Sequence, residues 1–182
     1  MKAKNNKMKR DKQSLAFYAM IIGSVLLIAA LFLPFATATE EYAEHLNRYP
    51  KRYLVEEIEM ENAVGIQISL MKFLRIYYAA AKLEISREVG IACMVILFIF
   101  ALFAIMTAIF SVCRKPILTI LFDILSFAMI NLVRWDFQER GVIPSRRYDW
   151  GIAAYAVYIG VMIVIAGAVV FLTEKRKQKR EQ

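Results

Sequence analysis

The sequence predicts an all-α membrane protein, a bundle of four transmembrane helices with a small α+β loop outside the membrane between the first and second helices. Three observations lead to this fold class. Hydrophobic residues make up 59% of the 182-residue chain and charged residues only 22%. The apolar residues fall into four long runs that hold a single acid between them. The basic residues concentrate in the short segments beside those runs, where lysine and arginine flank membrane helices.

The pattern divides the chain, as one membrane domain, into nine segments. The clearest run is 89–112, in which 24 residues carry no charge. At about 1.5 Å of rise per residue, that length crosses a hydrocarbon core of about 30 Å. The predicted segments are a basic tail at 1–13, the first helix at 14–35, an outer loop at 36–88, the second helix at 89–112, an inner turn at 113–116, the third helix at 117–133, a second outer loop at 134–150, the fourth helix at 151–172 and a second basic tail at 173–182.

The distribution of lysine and arginine predicts the orientation. The two tails and the inner turn hold 13 of these residues in 27 positions, whereas the outer loops hold 11 in 70. Because membrane proteins concentrate these residues on the cytoplasmic side, both termini are expected in the cytoplasm and both loops outside the plasma membrane. The tail at 1–13 is expected to be a disordered basic anchor that contacts anionic lipid.

The first helix has an alternative interpretation. A basic start, an apolar run and the small residues Ala36, Thr37 and Ala38 also occur in signal peptides, where the small residues mark the cleavage site. The run at 14–35 is longer than the roughly 7–15 apolar residues of a signal peptide. An uncleaved membrane helix is therefore the favoured interpretation, and in both cases the following segment lies outside.

Two helices are predicted in the first outer loop. Thr37 precedes an acidic residue by three positions, the spacing of a capping box, which predicts a helix over Glu40–Tyr49 that Pro50 ends. The second helix is Leu70–Leu83, whose wide apolar face carries a narrow basic stripe of Lys72, Arg75 and Lys82. Such a helix lies in the membrane interface or packs against the rest of the loop, and the two interpretations are compatible.

A small β-hairpin is predicted between those helices. Tyr53–Met60 and Val64–Ser69 both look extended, the second because apolar and polar residues alternate along it. Residues 61–63 between them are expected to form the turn. Because two strands alone are marginally stable in water, the hairpin is expected to lean on the helices or on a partner.

The second outer loop is bracketed by aromatic residues. Trp135, Tyr148 and Trp150 are expected at the level of the lipid headgroups, where amphipathic rings concentrate. The loop also carries four arginines and three acids. These charges are interpreted as a solvated surface, with binding to anionic lipid or to the acids of a partner as the alternative.

Small residues recur along three of the four apolar runs. In lipid no hydrophobic force draws helices together, so small residues that let backbones approach mark the contact faces. Their near-heptad spacing predicts a compact left-handed bundle. The predicted packing positions are Ala16, Ala19, Gly23 and Ala30 in the first helix, Ala101, Ala104 and Ala108 in the second, and Ala153, Ala156, Gly160 and Gly167 in the fourth.

Asp123 is the single acid inside the predicted helices and belongs to the candidate polar site. It is expected about 9–12 Å from the inner surface, where an ionised acid is costly and usually functional. Ser126 shares its helix face, and Asn131 lies within about 80° of it. Two interpretations stay open. The acid is either structural, as a protonated or hydrogen-bonded group that holds the bundle together or one that reaches toward Lys115, or it couples protons or cations to transport.

No other residue pattern indicates catalysis or a cofactor. Cys93 and Cys113 are expected on one helix about 30 Å apart and unable to pair. His45 is interpreted as a surface residue, and the acidic run 56–61 as a solvated edge. The chain contains none of the metalloprotease, serine-hydrolase or phosphate-loop motifs. We therefore expect no enzyme activity, no metal, no cofactor and no nucleic-acid partner, since the excess positive charge flanks membrane helices.

The order of elements carries a resemblance. The elements follow in the order of a basic tail, a first helix ending in Phe32–Phe35, a folded outer loop, a tight inner turn, a short outer loop and a final helix that opens with Trp150–Ile152. This order resembles the small uncharacterised four-helix membrane proteins of Gram-positive bacteria, which implies a four-helix fold and no particular activity. The layout is also similar to claudin-like proteins, whose first outer loop is the larger and partly β. This chain lacks the tryptophan and paired cysteines of that loop.

The expected function is that of a non-enzymatic accessory or scaffold subunit that binds a protein partner or lipid through its first outer loop and bundle surface. The expected partners are membrane lipid and either another membrane protein or further copies of the chain. The main rival is a small proton- or ion-coupled transporter that uses Asp123. A membrane enzyme acting on lipid headgroups through the outer acids is disfavoured by the missing motifs.

Overall fold

The computed structural model describes residues 2–82 and 87–180, with side chains described within 11–82 and 87–177. Helices account for 76% of it, and a small sheet is present. Four helices are long and apolar enough to cross a membrane, over Asp11–Ala29, Arg87–Val112, Pro116–Glu139 and Ile152–Lys177. The prediction of four such helices with a small β element is confirmed.

The helices and strands follow one another with short connections. The tail expected to be disordered is helical from Lys2, although most of its side chains lie outside the described ranges. In chain order the elements are α1 (Lys2–Ala29), β1 (Pro34–Ala38), α2 (Glu40–Arg48), β2 (Tyr53–Val55), a 3-10 turn (Glu56–Ile58), β3 (Met60–Glu61), α3 (Asn62–Gly65), β4 (Gln67–Ser69), α4 (Leu70–Lys82), α5 (Arg87–Val112), α6 (Pro116–Glu139), β5 (Tyr148–Trp150) and α7 (Ile152–Arg180).

The first helix ends earlier than predicted, at Ala29 instead of Phe35. Because Pro34 disfavours helical geometry in the residue before it, the chain leaves the helix through a turn and enters β1. The small residues that resemble a cleavage site, Ala36–Ala38, lie in this strand, and Ala36 is fully buried.

A three-stranded antiparallel sheet has the order β4-β1-β5. Ala36 in the central strand pairs with Ile68 on one side and with Trp150 on the other. The central strand follows α1, while the edge strands lead into α4 and α7. The sheet therefore joins the ends of three helices. We call residues 34–69 and 140–150, which surround this sheet, the cap.

The predicted hairpin is wrong in its pairing. The chain forms a smaller hairpin of β2 with β3, whereas the predicted second strand is a helical turn, α3, followed by β4. Asn62 stabilises the helical turn, because its buried side-chain amide donates to the carbonyl of Tyr49 at 2.9 Å. The alternation along 64–69 reflects burial of Ile68 against β1 and not pairing with Tyr53–Met60.

The amphipathic helix α4 runs over Leu70–Lys82, and its predicted end at Leu83 lies outside the described residues. It packs closely on α5 at Gly90, where an added Cβ would lie 2.8 Å from the backbone oxygen of Tyr77. Its apolar face contributes to the core through Phe73, Tyr77 and Ala79. The helix thus packs on the bundle and also contacts the 3-10 turn of the hairpin, and it leaves Arg75 and Lys82 exposed.

The third long helix, α6, continues past its predicted end at Val133 to Glu139. The additional turns are held by Phe137, which is buried. Its ring centroid lies 6.0 Å from that of Phe35 and 4.8 Å from that of Phe73. The predicted second outer loop therefore begins with two turns of helix that pack under the cap.

The closest helix contact is between α1 and α7, which run antiparallel. An added Cβ on Gly23 would lie 2.7 Å from the backbone oxygen of Gly160, and one on Gly167 would lie 2.9 Å from that of Ala16. The remaining predicted packing positions are fully buried at Ala30, Ala104 and Ala153 and partly buried at Ala19, Ala101, Ala108 and Ala156. Close backbone approach at glycine is the expected result of small residues on facing helices.

Candidate functional site

Asp123 lies inside the bundle, two turns from the start of α6 at Pro116. Its exposed fraction is 0%, and neither carboxylate oxygen has a hydrogen-bond partner among the described residues. Burying a polar group without a partner costs about 1–3 kcal/mol, and more when the group is charged. Proteins keep such a cost where a site has a use, so Asp123 is the first candidate site.

The surroundings of Asp123 are more polar than the apolar runs of the sequence indicate. The ring of Phe122 contacts those of Phe103 and Phe110, which fixes the register of the antiparallel α5 and α6 and sets Asp123 close to the level of Thr107. Four hydroxyl groups near this level are fully buried, and each donates to the backbone carbonyl four residues earlier: Thr107, Ser111, Thr119 and Ser126.

This polar layer divides the apolar core. Towards the cap, Phe127 packs against the large cluster of buried apolar residues. Towards the other end, Ile120 packs against a small cluster formed by Ala16, Met20, Ala168 and Phe171. Asp123 lies between Phe127 and Ile120 on the same helix. The four described hydroxyl groups donate their hydrogens to backbone carbonyls, so they supply no donor to the carboxylate of Asp123.

The predicted polar site is brought together only in part. Ser126 shares the buried face of Asp123. Asn131 is half-buried on another side of α6, where its amide nitrogen donates to the carbonyl of Phe127 at 2.7 Å and its oxygen accepts from the hydroxyl of Tyr158 at 2.8 Å. Asn131 therefore joins α6 to α7 with its hydrogen bonds satisfied.

The three predicted interfacial aromatic residues have different surroundings. Trp135 on α6 is 59% exposed. Trp150 is half-buried, with its ring under the guanidinium of Arg134 at 4.6 Å. Tyr148 belongs to the cap, where its hydroxyl donates to the carbonyl of Gly65 at 2.9 Å. Burial raises the pKa of Tyr148 above its ordinary value, so this hydroxyl stays a donor. Of the three, Trp135 is the residue that faces outward.

A polar cluster ties α4, α5 and α6 together beneath the cap. Arg140 forms an ion pair with Asp136 and donates to the hydroxyl of Tyr77 at 2.8 Å and to the sulfur of Cys93 at 3.4 Å. Burial lowers the pKa of Arg140, but its interactions with Asp136, Tyr77 and Cys93 together outweigh that effect and the pKa is raised. Burial raises the pKa of Tyr77. Arg140 and Tyr77 both keep their protons at physiological pH, so we assign the cluster a structural role.

The second candidate site is a cleft of about 1090 Å³ in the cap, between α2 and the segment before β5. At its centre the ring of Tyr42 stacks on His45, contacts Tyr148 edge-on at 5.4 Å and lies under the guanidinium of Arg147 at 5.6 Å. One wall carries three glutamates and the other two arginines, and no ion pair joins them in the described part of the chain. The residues that line the cleft are Thr39, Glu40, Glu41, Tyr42, Glu44, His45, Arg146 and Arg147.

The walls of this cleft are fixed by hydrogen bonds. The hydroxyl of Thr39 donates to the carbonyl of Arg146 at 3.0 Å, and the backbone nitrogen of Thr39 donates to the carbonyl of Arg147 at 2.9 Å. His45 is exposed, as expected of a surface residue, and its ring stacks on that of Tyr42. Among the described residues, no three His, Cys, Asp or Glu side chains converge as a metal site.

No family model, curated protein or solved structure matches this chain. The resemblance to small four-helix membrane proteins of Gram-positive bacteria therefore stays a prediction, as does the claudin-like layout. The function has to be inferred from the residues of the chain itself. They present two candidate sites, the buried carboxylate of Asp123 and the cap cleft around Tyr42.

Proposed function

We propose that this chain is a non-enzymatic multi-pass membrane protein that acts as an accessory or scaffold subunit, and that its cap cleft holds an extracytoplasmic segment of a partner membrane protein. The observation that carries the proposal is the make-up of the cleft. An aromatic centre at Tyr42, surrounded by charges of both signs, matches the anatomy of protein interfaces.

The rigidity of the cap supports a scaffold role. Gly151, at the junction of β5 and α7, approaches the start of β1, the strand that follows α1, so closely that an added Cβ would lie 2.3 Å from the backbone oxygen of Pro34. The cap is thus joined to the two helices that pack most closely on each other. A segment bound in the cleft would be held at a fixed position relative to the bundle, and binding to a preformed site avoids the entropic cost of ordering it.

The proposal includes an orientation, with the cap outside the plasma membrane and both termini in the cytoplasm. The excess of lysine and arginine in the tails and in the turn between α5 and α6 supports it. Arg114 and Lys115 are exposed in that turn, at the opposite end of the bundle from the cap. Trp135, near the cap end of α6, supports a membrane boundary there.

A photoreactive amino acid placed at Glu44 tests the cleft. In native membranes we expect it to cross-link one protein of defined mass, and we expect Tyr42→Ala to reduce that product about 10-fold or more, the loss typical of an interface hot spot. Tyr49→Ala is the matched control, because Tyr49 is 61% exposed and does not line the cleft. If Tyr42→Ala and Tyr49→Ala reduced the cross-linked product equally, or if no product formed, the support for a partner in the cleft would be lost.

The buried carboxylate of Asp123 favours a second candidate function, a small proton- or ion-coupled transporter. Both oxygens are buried and have no partner within the described part of the chain, and acids inside membrane helices commonly belong to proton or ion pathways. The layer of hydroxyl oxygens near Asp123 offers further acceptors to a cation. Flux into proteoliposomes that depends on Asp123 would favour this function over the scaffold.

A further inference from the structure

A lateral groove lies between α4 and α5, outside both candidate sites. It has a volume of about 470 Å³ and opens on the side of the molecule. Apart from one arginine, its walls are apolar and aromatic. The residues that line it are Leu74, Arg75, Tyr78, Met94, Val95 and Phe98.

The height of the groove follows from the register of α5 against α6. Cys93 lies opposite Asp136, where its thiol donates to the carboxylate at 3.5 Å. Because the two helices are antiparallel, Met94 lies level with Trp135, the exposed tryptophan expected at the headgroups. Phe98 lies about 6 Å further towards the middle of the bundle. The groove therefore begins at headgroup level and extends into the apolar zone.

Arg75 is the available cation at the lip of this groove. It is exposed and forms no hydrogen bond or ion pair with other described residues. The other cations of the α4 stripe are engaged, since Lys72 donates to the carbonyls of Val64 and Gln67 and Lys82 lies 4.5 Å over the ring of Tyr78. Arg75 also lines a small pocket of about 100 Å³ whose Glu59 does not pair with it.

We propose that this groove binds one anionic phospholipid of the surrounding leaflet. One acyl chain lies along Met94, Val95 and Phe98, and the phosphate binds the guanidinium of Arg75, which presents paired donors to phosphate oxygens. The protein offers two features that match those of the lipid, a cation at headgroup level with no partner among the described residues and an apolar groove below it. The inference rests on the proposed membrane location and not on the cap cleft.

The test uses the purified full-length protein and a phosphatidylglycerol with a photoreactive group in one acyl chain. We expect the lipid to cross-link to peptides containing 74–78 and 94–98. Arg75→Gln is expected to reduce the product about five-fold, the effect of one cation near an anionic surface. Lys51→Gln is the control for charge, because this exposed lysine of the cap does not line the groove.

A second variant fills the groove without changing charge. Val95→Trp is expected to exclude the acyl chain and abolish the cross-link, whereas Ile105→Trp, at an equally exposed site on the same helix, is expected to leave it intact. Cross-links that map elsewhere, that persist in Arg75→Gln, or that join two copies of the chain through this groove would overturn the proposal. If no partner protein cross-linked at the cap cleft while the lipid cross-link still formed, only the proposed scaffold function would be affected.

Discussion

Replacing Gly167 with leucine is expected to force α1 away from α7 and to destabilise the bundle. An added Cβ would lie 2.9 Å from the backbone oxygen of Ala16 and 3.0 Å from the backbone nitrogen of Met20. Backbone atoms cannot turn aside as a side chain can, so one helix must move away. Overpacking of a tight core commonly costs about 1–3 kcal/mol, and the three further carbons of leucine place this variant at or above the upper end.

The adjacent residue supplies the control. Ala166 is exposed on the same helix, so Ala166→Leu adds the same kind of side chain on the outer surface. Unfolding in mild detergent, followed by circular dichroism against denaturant, measures both variants. If Gly167→Leu and Ala166→Leu both unfolded at the same denaturant midpoint as the unsubstituted protein, the close approach at Gly167 would not be what holds the bundle together. Gly23→Leu, on the facing helix, is expected to match Gly167→Leu.

Replacing Asp123 with leucine is expected to stabilise the bundle by about 1–3 kcal/mol, because it removes a buried polar group for which the described residues supply no hydrogen-bond partner. Stabilisation on removing a native polar residue is typical of sites kept for a use other than stability. Ser126→Ala is the control, since Ser126 is equally buried but its hydroxyl has an acceptor. The free energy of unfolding of each variant gives the comparison.

A lower free energy of unfolding in the Asp123 variants would assign the acid a structural role. If Asp123→Leu and Asp123→Asn both lower the free energy of unfolding, the carboxylate holds the bundle together, and the structural interpretation of this acid is correct. If Asp123→Leu is more stable and proteoliposomes containing it lose a proton or cation flux that the unsubstituted protein supports, the transporter becomes the better account. Stabilisation without any flux in either protein would leave the scaffold function as proposed.

The long helices were predictable from the sequence because their signals are local. A run such as 89–112 has no charge, and its length alone identifies a possible span. The sheet was not predictable in the same way. Ala36 pairs with Trp150, which is distant from it in the sequence. Strand β1 has only five residues, and in the sequence it continues the apolar run before it without a visible boundary. The hairpin was assigned to 53–69 because pairing between neighbours is the commoner arrangement.

The candidate site is predictable at its acid and at Ser126, which shares its buried face. Serine and threonine are nearly neutral on hydropathy scales, so the buried hydroxyls beside Asp123 did not interrupt the apolar runs. Their spacing contained a usable signal, because Thr107 and Ser111, like Thr119 and Asp123, are four residues apart and share a helix face. The cap cleft left no such signal. Its two walls come from segments a hundred residues apart, and each charge looked like an ordinary surface residue when taken alone.

The measurement that tests the account most directly is the accessibility of thiols from each side of the membrane. Cys113 is exposed in the turn between α5 and α6, whereas Cys93 is buried, so the natural chain carries one reporter at the end opposite the cap. In intact cells a membrane-impermeant maleimide is expected to leave Cys113 unlabelled and to label it only after permeabilisation. With Cys113→Ser, the substitution Glu44→Cys is expected to be labelled in intact cells. Labelling of Cys113 from outside, with Glu44→Cys protected, would place the cap in the cytoplasm and contradict the account.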